Sequence, residues 1–134
     1  ARMRPLSGAD LTILEEIGKG RFKQVHLGTL RCSRTHAGEE MDVVVLRYEK
    51  GGENGEKREL EILAMLSCIP SKCPFVPEIY GCIDQGRNML VVQEHAPWGS
   101  LKSVLTEADV VPSFSTMHKL HAASQIARAM GFLE

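Results

Sequence analysis

The residues best able to do chemistry fall into three short stretches. Gly18-Lys19-Gly20-Arg21-Phe22-Lys23-Gln24-Val25 places two glycines among three cations. Glycines let backbone N–H groups approach an anion without an intervening Cβ, so a phosphate is the natural guest. The same pair also suits a plain hairpin turn, and it is not a dinucleotide fingerprint, because strand-like residues follow where a helix would be needed. Arg47 ends an apolar run and Glu59 opens a helical one. A basic head oriented by a carboxylate can hold phosphate. Taken alone, the pair reads equally as a surface salt bridge worth about 0–1 kcal/mol.

Elements of two periods must position these groups. Leu11 to Ile17 is apolar at positions 11, 13 and 17, breaks at Gly18, and is answered by Phe22 to Leu30, which together predict a hairpin. Arg31 to Glu40 is polar and reads as a loop. Met41 to Tyr48 is nearly continuous and β-branched, the composition of a strand covered on both faces. A Gly- and Glu-rich connection from Glu49 to Glu56 follows. It reads as a solvated loop, or as part of a docking surface for a regulatory protein. Between Lys57 and Cys68, Leu60, Leu63, Ala64, Leu66 and Ser67 have helical spacing, and Pro70 and Pro74 end the helix. Val76–Ile83 and Asn88–Glu94 predict two further strands about the turn Asp84-Gln85-Gly86-Arg87.

A short connector at Ala96-Pro97-Trp98-Gly99 leads to a helix from Ser100 to about Glu107. Beyond Pro112 and Ser113, residues Leu120, Ala123, Ile126, Ala127, Met130 and Leu133 fall on one helical face. That helix reaches Glu134 without a stop signal, and its apolar face predicts a further cover, or association of the isolated piece. Three strands before the first long helix argue against a doubly wound sheet. The expected fold is α+β: a five-stranded antiparallel sheet carrying one helix, then a connector and further helices.

Composition narrows the function classes. The 134 residues carry 16 Lys plus Arg against 17 Asp plus Glu, so there is no strong basic field for nucleic acid. Apolar runs such as Met89 to Val92 are too short to span a bilayer, and the first residues lack a signal-type apolar core. No Asn-x-Ser/Thr acceptor occurs, and a cytoplasmic setting is the expectation. Cys32, Cys68, Cys73 and Cys82 lack zinc-knuckle spacing and read as ordinary thiols. His95, His118 and His121 read as solvated or capping residues.

In this order, the stretches resemble the small lobe of a eukaryotic-type protein kinase, over about Leu11 to Glu134. Gly18-x-Gly20-x-x-Lys23-x-Val25 resembles the glycine-rich loop, and Val44-Val45-Leu46-Arg47 the strand that normally ends in lysine. Glu59 in Arg58-Glu59-Leu60-Glu61 is similar to the family's helix glutamate. Pro74 to Gly81 resembles the entry to strand four. Leu90 to Leu101 resembles strand five, the hinge and the next helix, and Gln125 to Leu133 the long helix before the catalytic loop. Hinge and final helix are most similar to the tyrosine-kinase and tyrosine-kinase-like groups.

The resemblance implies a layout of N-terminal extension (1–10), small lobe (11–94), hinge (95–99) and the start of the large lobe (100–134). It implies ATP as ligand, with magnesium held mainly by residues outside this chain, and a protein substrate or regulator as partner. Ile17, Gly18, Lys19, Gly20, Arg21, Phe22, Lys23 and Val25 would then cover the nucleotide. Val25 and Val45 would sandwich adenine, Glu94 and Ala96 would offer it backbone hydrogen bonds, and Gln93 would be the gatekeeper. Arg47 would be the basic head and Glu59 its ion-pair partner.

Three positions depart from the family pattern. Lys23 replaces the third glycine, Arg47 the strand-three lysine and Val45 the small ceiling alanine, narrowing the slot by two methyl groups. A lysine at position 23 resembles the with-no-lysine kinases, which implies that Lys23 rather than Arg47 supplies the phosphate-binding ammonium; a solvated lysine on a degenerate loop is the plain alternative. His-Arg-Asp, Asp-Phe-Gly and Ala-Pro-Glu do not occur in the sequence, so this stretch alone is expected to be inactive. The readings are therefore the ATP-binding part of a kinase that phosphorylates Ser/Thr or Tyr hydroxyls, or a pseudokinase or kinase-fold interaction module.

Overall fold

Alternating apolar side chains and well-placed turns build the strands, and one amphipathic helix covers part of their sheet. The computed structural model describes residues 3–31, 39–51, 54–69, 73–97, 101–106 and 115–133. Cys32, Pro70, Trp98, Gly99, Ser100, Glu107, Pro112, Ser113 and Glu134, which figured in the sequence reading, lie outside them. The elements are a 3-10 turn at Gly8–Asp10, β1 (Leu11–Lys19), β2 (Lys23–Arg31), β3 (Glu40–Glu49), α1 (Asn54–Ser67), β4 (Ile79–Asp84), β5 (Asn88–Glu94), α2 (Leu101–Thr106) and α3 (Thr116–Leu133). The sheet is antiparallel throughout, in the order β1-β2-β3-β5-β4. The α+β expectation holds, and β5 has the bounds expected for it. The chain divides into two compact units, Ala1–Ser71 with Pro77–His95, and Lys72–Val76 with Ala96–Glu134.

Within the first unit, the register of β3 sorts the core into two faces. Directly opposed residues of antiparallel strands share a face. Val43 and Val45 therefore lie with Leu30, Ile83, Leu90 and Val92, joined by Leu6, Leu11, Met41 and Tyr80. Val44, Leu46 and Tyr48 lie on the other face with Val91, packed by Val25, Ile79, Met89 and the α1 residues Leu60 and Leu63. Val43, Val45, Tyr48, Val91 and Val92 are fully buried, each worth roughly 1.5–3 kcal/mol of transfer free energy. The expectation of a strand covered on both faces is met.

Helix α1 starts at Asn54, earlier than the Gly- and Glu-rich stretch suggested. Its half-buried side includes Glu59, Leu60, Leu63, Ala64, Leu66 and Ser67, while Ile62 and Met65 face solvent. The Ser67 hydroxyl donates to the Ala64 carbonyl at 2.7 Å where the helix ends. β4 begins at Ile79, later than expected, because Pro77 cannot donate to a ladder. In the second unit, Ser115 precedes α3 and its hydroxyl accepts from the His118 backbone N–H at 3.4 Å. The His118 ring Nδ1 in turn accepts from the Ser115 N–H at 3.1 Å, a reciprocal cap of the kind expected for this histidine. Leu120, Ile126, Met130 and Leu133 on α3 are exposed. No helix among the described residues is long and apolar enough to cross a membrane.

The first residues do more than precede the sheet. Arg4 accepts from the Cys82 N–H at 2.9 Å, and the Leu6 N–H donates to Cys82 at 2.8 Å, so residues 4–6 run parallel to β4. Leu6 joins one core face and Met3 the other. Gly81 makes the approach possible: its φ is +156°, and a Cβ there would collide with the Arg4 carbonyl and come 2.8 Å from Leu6 Cγ. Cys82 lies beside this segment, and burial, then the charge of Asp84, push its thiol pKa up.

Gly81→Ala is expected to displace residues 3–6 and destabilise the fold by about 1–3 kcal/mol in chemical denaturation. Peptide mapping after timed alkylation at neutral pH is expected to find Cys82 modified about tenfold more slowly than the exposed Cys68, because only the thiolate reacts.

Candidate functional site

The β1–β2 turn brings its cations to the edge of the face that α1 covers. Two register shifts in β1, between Ile13 and Glu16 and between Glu16 and Gly18, leave Gly18 opposite Val25. The Gly20 N–H donates to the Lys23 carbonyl at 2.8 Å and closes the turn, so that donor belongs to the hairpin. Neither Gly18 nor Gly20 has a positive φ. What Gly20 supplies is room: a Cβ there would come 3.3 Å from Lys23 Cγ and 3.6 Å from its Cε. Lys19 and Arg21 are exposed at the tip, and the Arg21 guanidinium lies 5.3 Å from the Phe22 ring centroid. Ile17 is exposed beside the turn.

From β2, Lys23 reaches α1. Its Nζ donates to Glu59 Oε1 at 2.6 Å. The hydroxyl of Tyr48, whose residue is opposite Lys23 in the β2–β3 ladder, donates to the same oxygen at 3.0 Å. The ammonium also lies 5.9 Å from the Tyr48 ring centroid. The Lys23 and Glu59 side chains are 28% and 32% exposed, so the pair is anchored in the core at one end and open to a solute at the other. The face continues with Val25 opposite Leu46, and with Val44 opposite both Leu27 and Gln93. An ammonium bordered by apolar Val25, Val44 and Leu46 suits a ligand with an anionic end and a flat apolar end.

Two of the residues expected here stand elsewhere. Val45 and Arg47 are out of phase with this face, because side chains alternate along a strand. Val45 is buried in the opposite core beside Val43 and Val92. Arg47 is exposed, and with the Asn88 amide turned so that its oxygen faces the guanidinium, Nη2 and Nε donate to that oxygen at 3.0 and 3.3 Å. An Arg47–Glu59 pair is therefore not formed. The residues that share the face of Val25 and Glu59 are Val44 and Leu46, one position earlier in each case. The extra bulk once expected of Val45 belongs to Val44, and an apolar Leu46 stands where a basic head was sought. Tyr48 was missed: as an aromatic at the end of an apolar run it reads as core, and its hydroxyl gives no separate signal.

Gln93 and Glu94 end β5. Gln93 shares the face of Val44 and Ile79, next to the Val25 side of the sheet. The Glu94 N–H donates to the Glu78 carbonyl at 2.8 Å, and its carboxylate accepts from the Glu78 N–H at 3.1 Å, which ties the end of β5 to the start of β4. Ala96 is exposed and belongs to the second unit. Among the described residues, no cluster of three or more His, Cys, Asp or Glu side chains has the arrangement of a metal site.

Comparison with known proteins gives a consistent picture. The family model described as protein tyrosine and serine/threonine kinase matches residues 11–134. The chain is 32% identical over 132 residues to the human insulin receptor-related protein, covering 92% of this chain and 10% of that protein. It is 32% identical over 125 residues to the tyrosine-protein kinase Shark of Drosophila melanogaster, covering 92% of this chain and 13% of that protein. A third relative, the L-type lectin-domain containing receptor kinase I.7 of Arabidopsis thaliana, is 32% identical over 120 residues, 89% of this chain and 17% of that protein. The chain thus spans between 10% and 17% of the length of these three curated relatives.

Proposed function

This chain belongs to the family of protein tyrosine and serine/threonine kinases, and we propose that it forms the nucleotide-binding lobe of its domain, with Lys23 as the cation that holds the ATP phosphates. The observation that carries this reading is the Lys23–Glu59 pair. In the family, a strand-three lysine paired with the helix glutamate grips the phosphates. Here the strand-three residue on the relevant face is Leu46, and the same ammonium–carboxylate pair is made from the neighbouring strand. Gly20 leaves the space through which the Lys23 side chain passes.

The rest of the site follows from the faces of the sheet. Val25 and Val44 form the apolar ceiling over adenine, Leu46 extends it towards the phosphates, and Ile17 and Phe22 flank it. Lys19 and Arg21 add positive potential at the tip of the turn, which draws an anionic ligand in. Gln93 is the gatekeeper, and residues 95–99 are the hinge. Glu94 offers adenine its carbonyl, because its N–H is used by Glu78. ATP would supply the transferable phosphoryl group, with magnesium held mainly by residues outside this chain. The parent domain then transfers the γ-phosphoryl group to Ser/Thr or Tyr hydroxyls of a protein partner in a cytoplasmic setting.

A second reading, a pseudokinase that binds nucleotide without transferring phosphate, is favoured by one observation. Leu46 leaves the Glu59-facing side of strand three without a cation, and the lysine beside Glu59 comes from the neighbouring strand instead. Transfer of labelled phosphate from ATP to a protein substrate supports the enzyme; tight binding without transfer supports the second reading.

Calorimetry with Mg·ATP on the full protein tests the site directly. Lys23→Met is expected to weaken binding about 10- to 100-fold, the worth of a charge-assisted hydrogen bond, while Arg47→Met leaves it within about twofold. In the Lys23→Met background, Leu46→Lys is expected to restore binding and Arg47→Lys is not. The reverse pattern at positions 46 and 47 would return the basic head to Arg47.

A further inference from the structure

Building on that assignment of Lys23, we infer that Tyr48 is a positioning residue that keeps Glu59 and α1 in place when the Lys23 ammonium moves onto a phosphate. Both donors converge on one oxygen: Lys23 Nζ lies 2.6 Å and the Tyr48 hydroxyl 3.0 Å from Glu59 Oε1. The two differ in freedom. Lys23 is a flexible stem with a partly exposed head, whereas Tyr48 is fully buried among Val44, Leu46 and Val91. A tyrosine ring packed on all sides has its hydroxyl fixed by the core, and the hydroxyl can travel only if the sheet does.

The two donors therefore divide the labour that a lysine–glutamate pair performs alone. An ammonium shared between a carboxylate and a phosphate weakens its grip on each. With Tyr48 still donating, the carboxylate keeps a strong partner, and α1 keeps its tie to the sheet beside Leu60 and Leu63. The 5.9 Å separation of ammonium and ring adds a second function: the π face attracts Lys23 and holds it near Glu59 until an anion arrives. Leu46, the preceding residue of β3 on this face, offers no donor, so the hydroxyl of Tyr48 does what no other described β3 side chain on that face can do.

The test uses amide exchange over residues 54–67 and the phenol carbon resonance of Tyr48 in the full protein, with Mg·ATP as the ligand. Tyr48→Phe removes only the hydroxyl and preserves the packing. Lys23→Met alone is expected to leave α1 protection within about threefold, and Tyr48→Phe alone to lower it modestly. The double variant is expected to lose tenfold or more, the scale of one charge-assisted bond. In the wild-type protein the Tyr48 phenol resonance reports its bond to Glu59, and Glu59→Gln should shift it. Loss of α1 protection in Lys23→Met equal to that of the double variant would overturn the inference, as would a Tyr48 resonance indifferent to Glu59→Gln. Both measurements are made without nucleotide as well as with it. Failure of wild-type protein to bind Mg·ATP therefore counts against the nucleotide site, while the exchange pattern judges Tyr48.

Discussion

β3 is hydrogen-bonded on both sides, to β2 and to β5, and its period of two governs everything placed around it. A shift of one residue would exchange the two cores. Val43 and Val45 would turn to the helix, Val44, Leu46 and Tyr48 would turn away from it, and Arg47 would be driven under α1. The shift is resisted by a strand whose central residues are packed on both faces, one by Leu90, Val92 and Ile83, the other by Val91, Val25 and α1. The site inherits this rigidity. Tyr48 can meet Glu59 only because its phase is fixed by the four buried residues Val43, Val44, Val45 and Leu46 before it, and by the Lys23 pairing across the ladder.

The same alternation explains what could be read from the sequence and what could not. The extent of β3 was legible because Val43-Val44-Val45-Leu46 is unmistakably apolar. Its phase was not, because a run that is apolar at every position carries no period-two signal. Arg47 attracted attention as the only cation in the run, although its place on the ladder points it to Asn88. Lys23 and Glu59 were legible through the motifs they sit in, Lys23 in the glycine-flanked turn from Gly18 to Val25 and Glu59 in the helical spacing between Lys57 and Cys68. The strand-like path of residues 4–6 was invisible, since Pro5 and its partner Cys82 are far apart in the chain and three residues are too few for a pattern. Helix α1 began earlier than expected because Gly55 disguises its first turn.

Charge placement distinguishes two ion pairs on this sheet. Lys50 donates to Asp84 where β3 leaves the sheet, and Asp84 also accepts from the Gly86 N–H at 2.9 Å, which hold its carboxyl below the usual range. Both side chains are largely exposed, and the contact ties two turns together without shaping a cavity. Lys23–Glu59 differs in kind. It is part-buried, sits over an apolar floor and shares its oxygen with a buried hydroxyl. Two ion pairs of similar composition thus differ in what surrounds them.

Pro5 gives the sheet unequal flanks. The carbonyl of Arg4 and the N–H of Leu6 both turn inward to Cys82, so the bond-forming groups of this short outer strand are spent on its neighbour. A strand arriving from outside would need a donor from residue 5, and proline has none. The β4 flank is therefore closed to extension by another chain. The opposite flank, β1, carries exposed Ile13, Leu14 and Ile17, and its two register shifts interrupt the flat ladder that an intruding strand would copy. One side of the sheet is guarded by chemistry and the other by irregularity, a division that makes β1 the flank where self-association would have to begin.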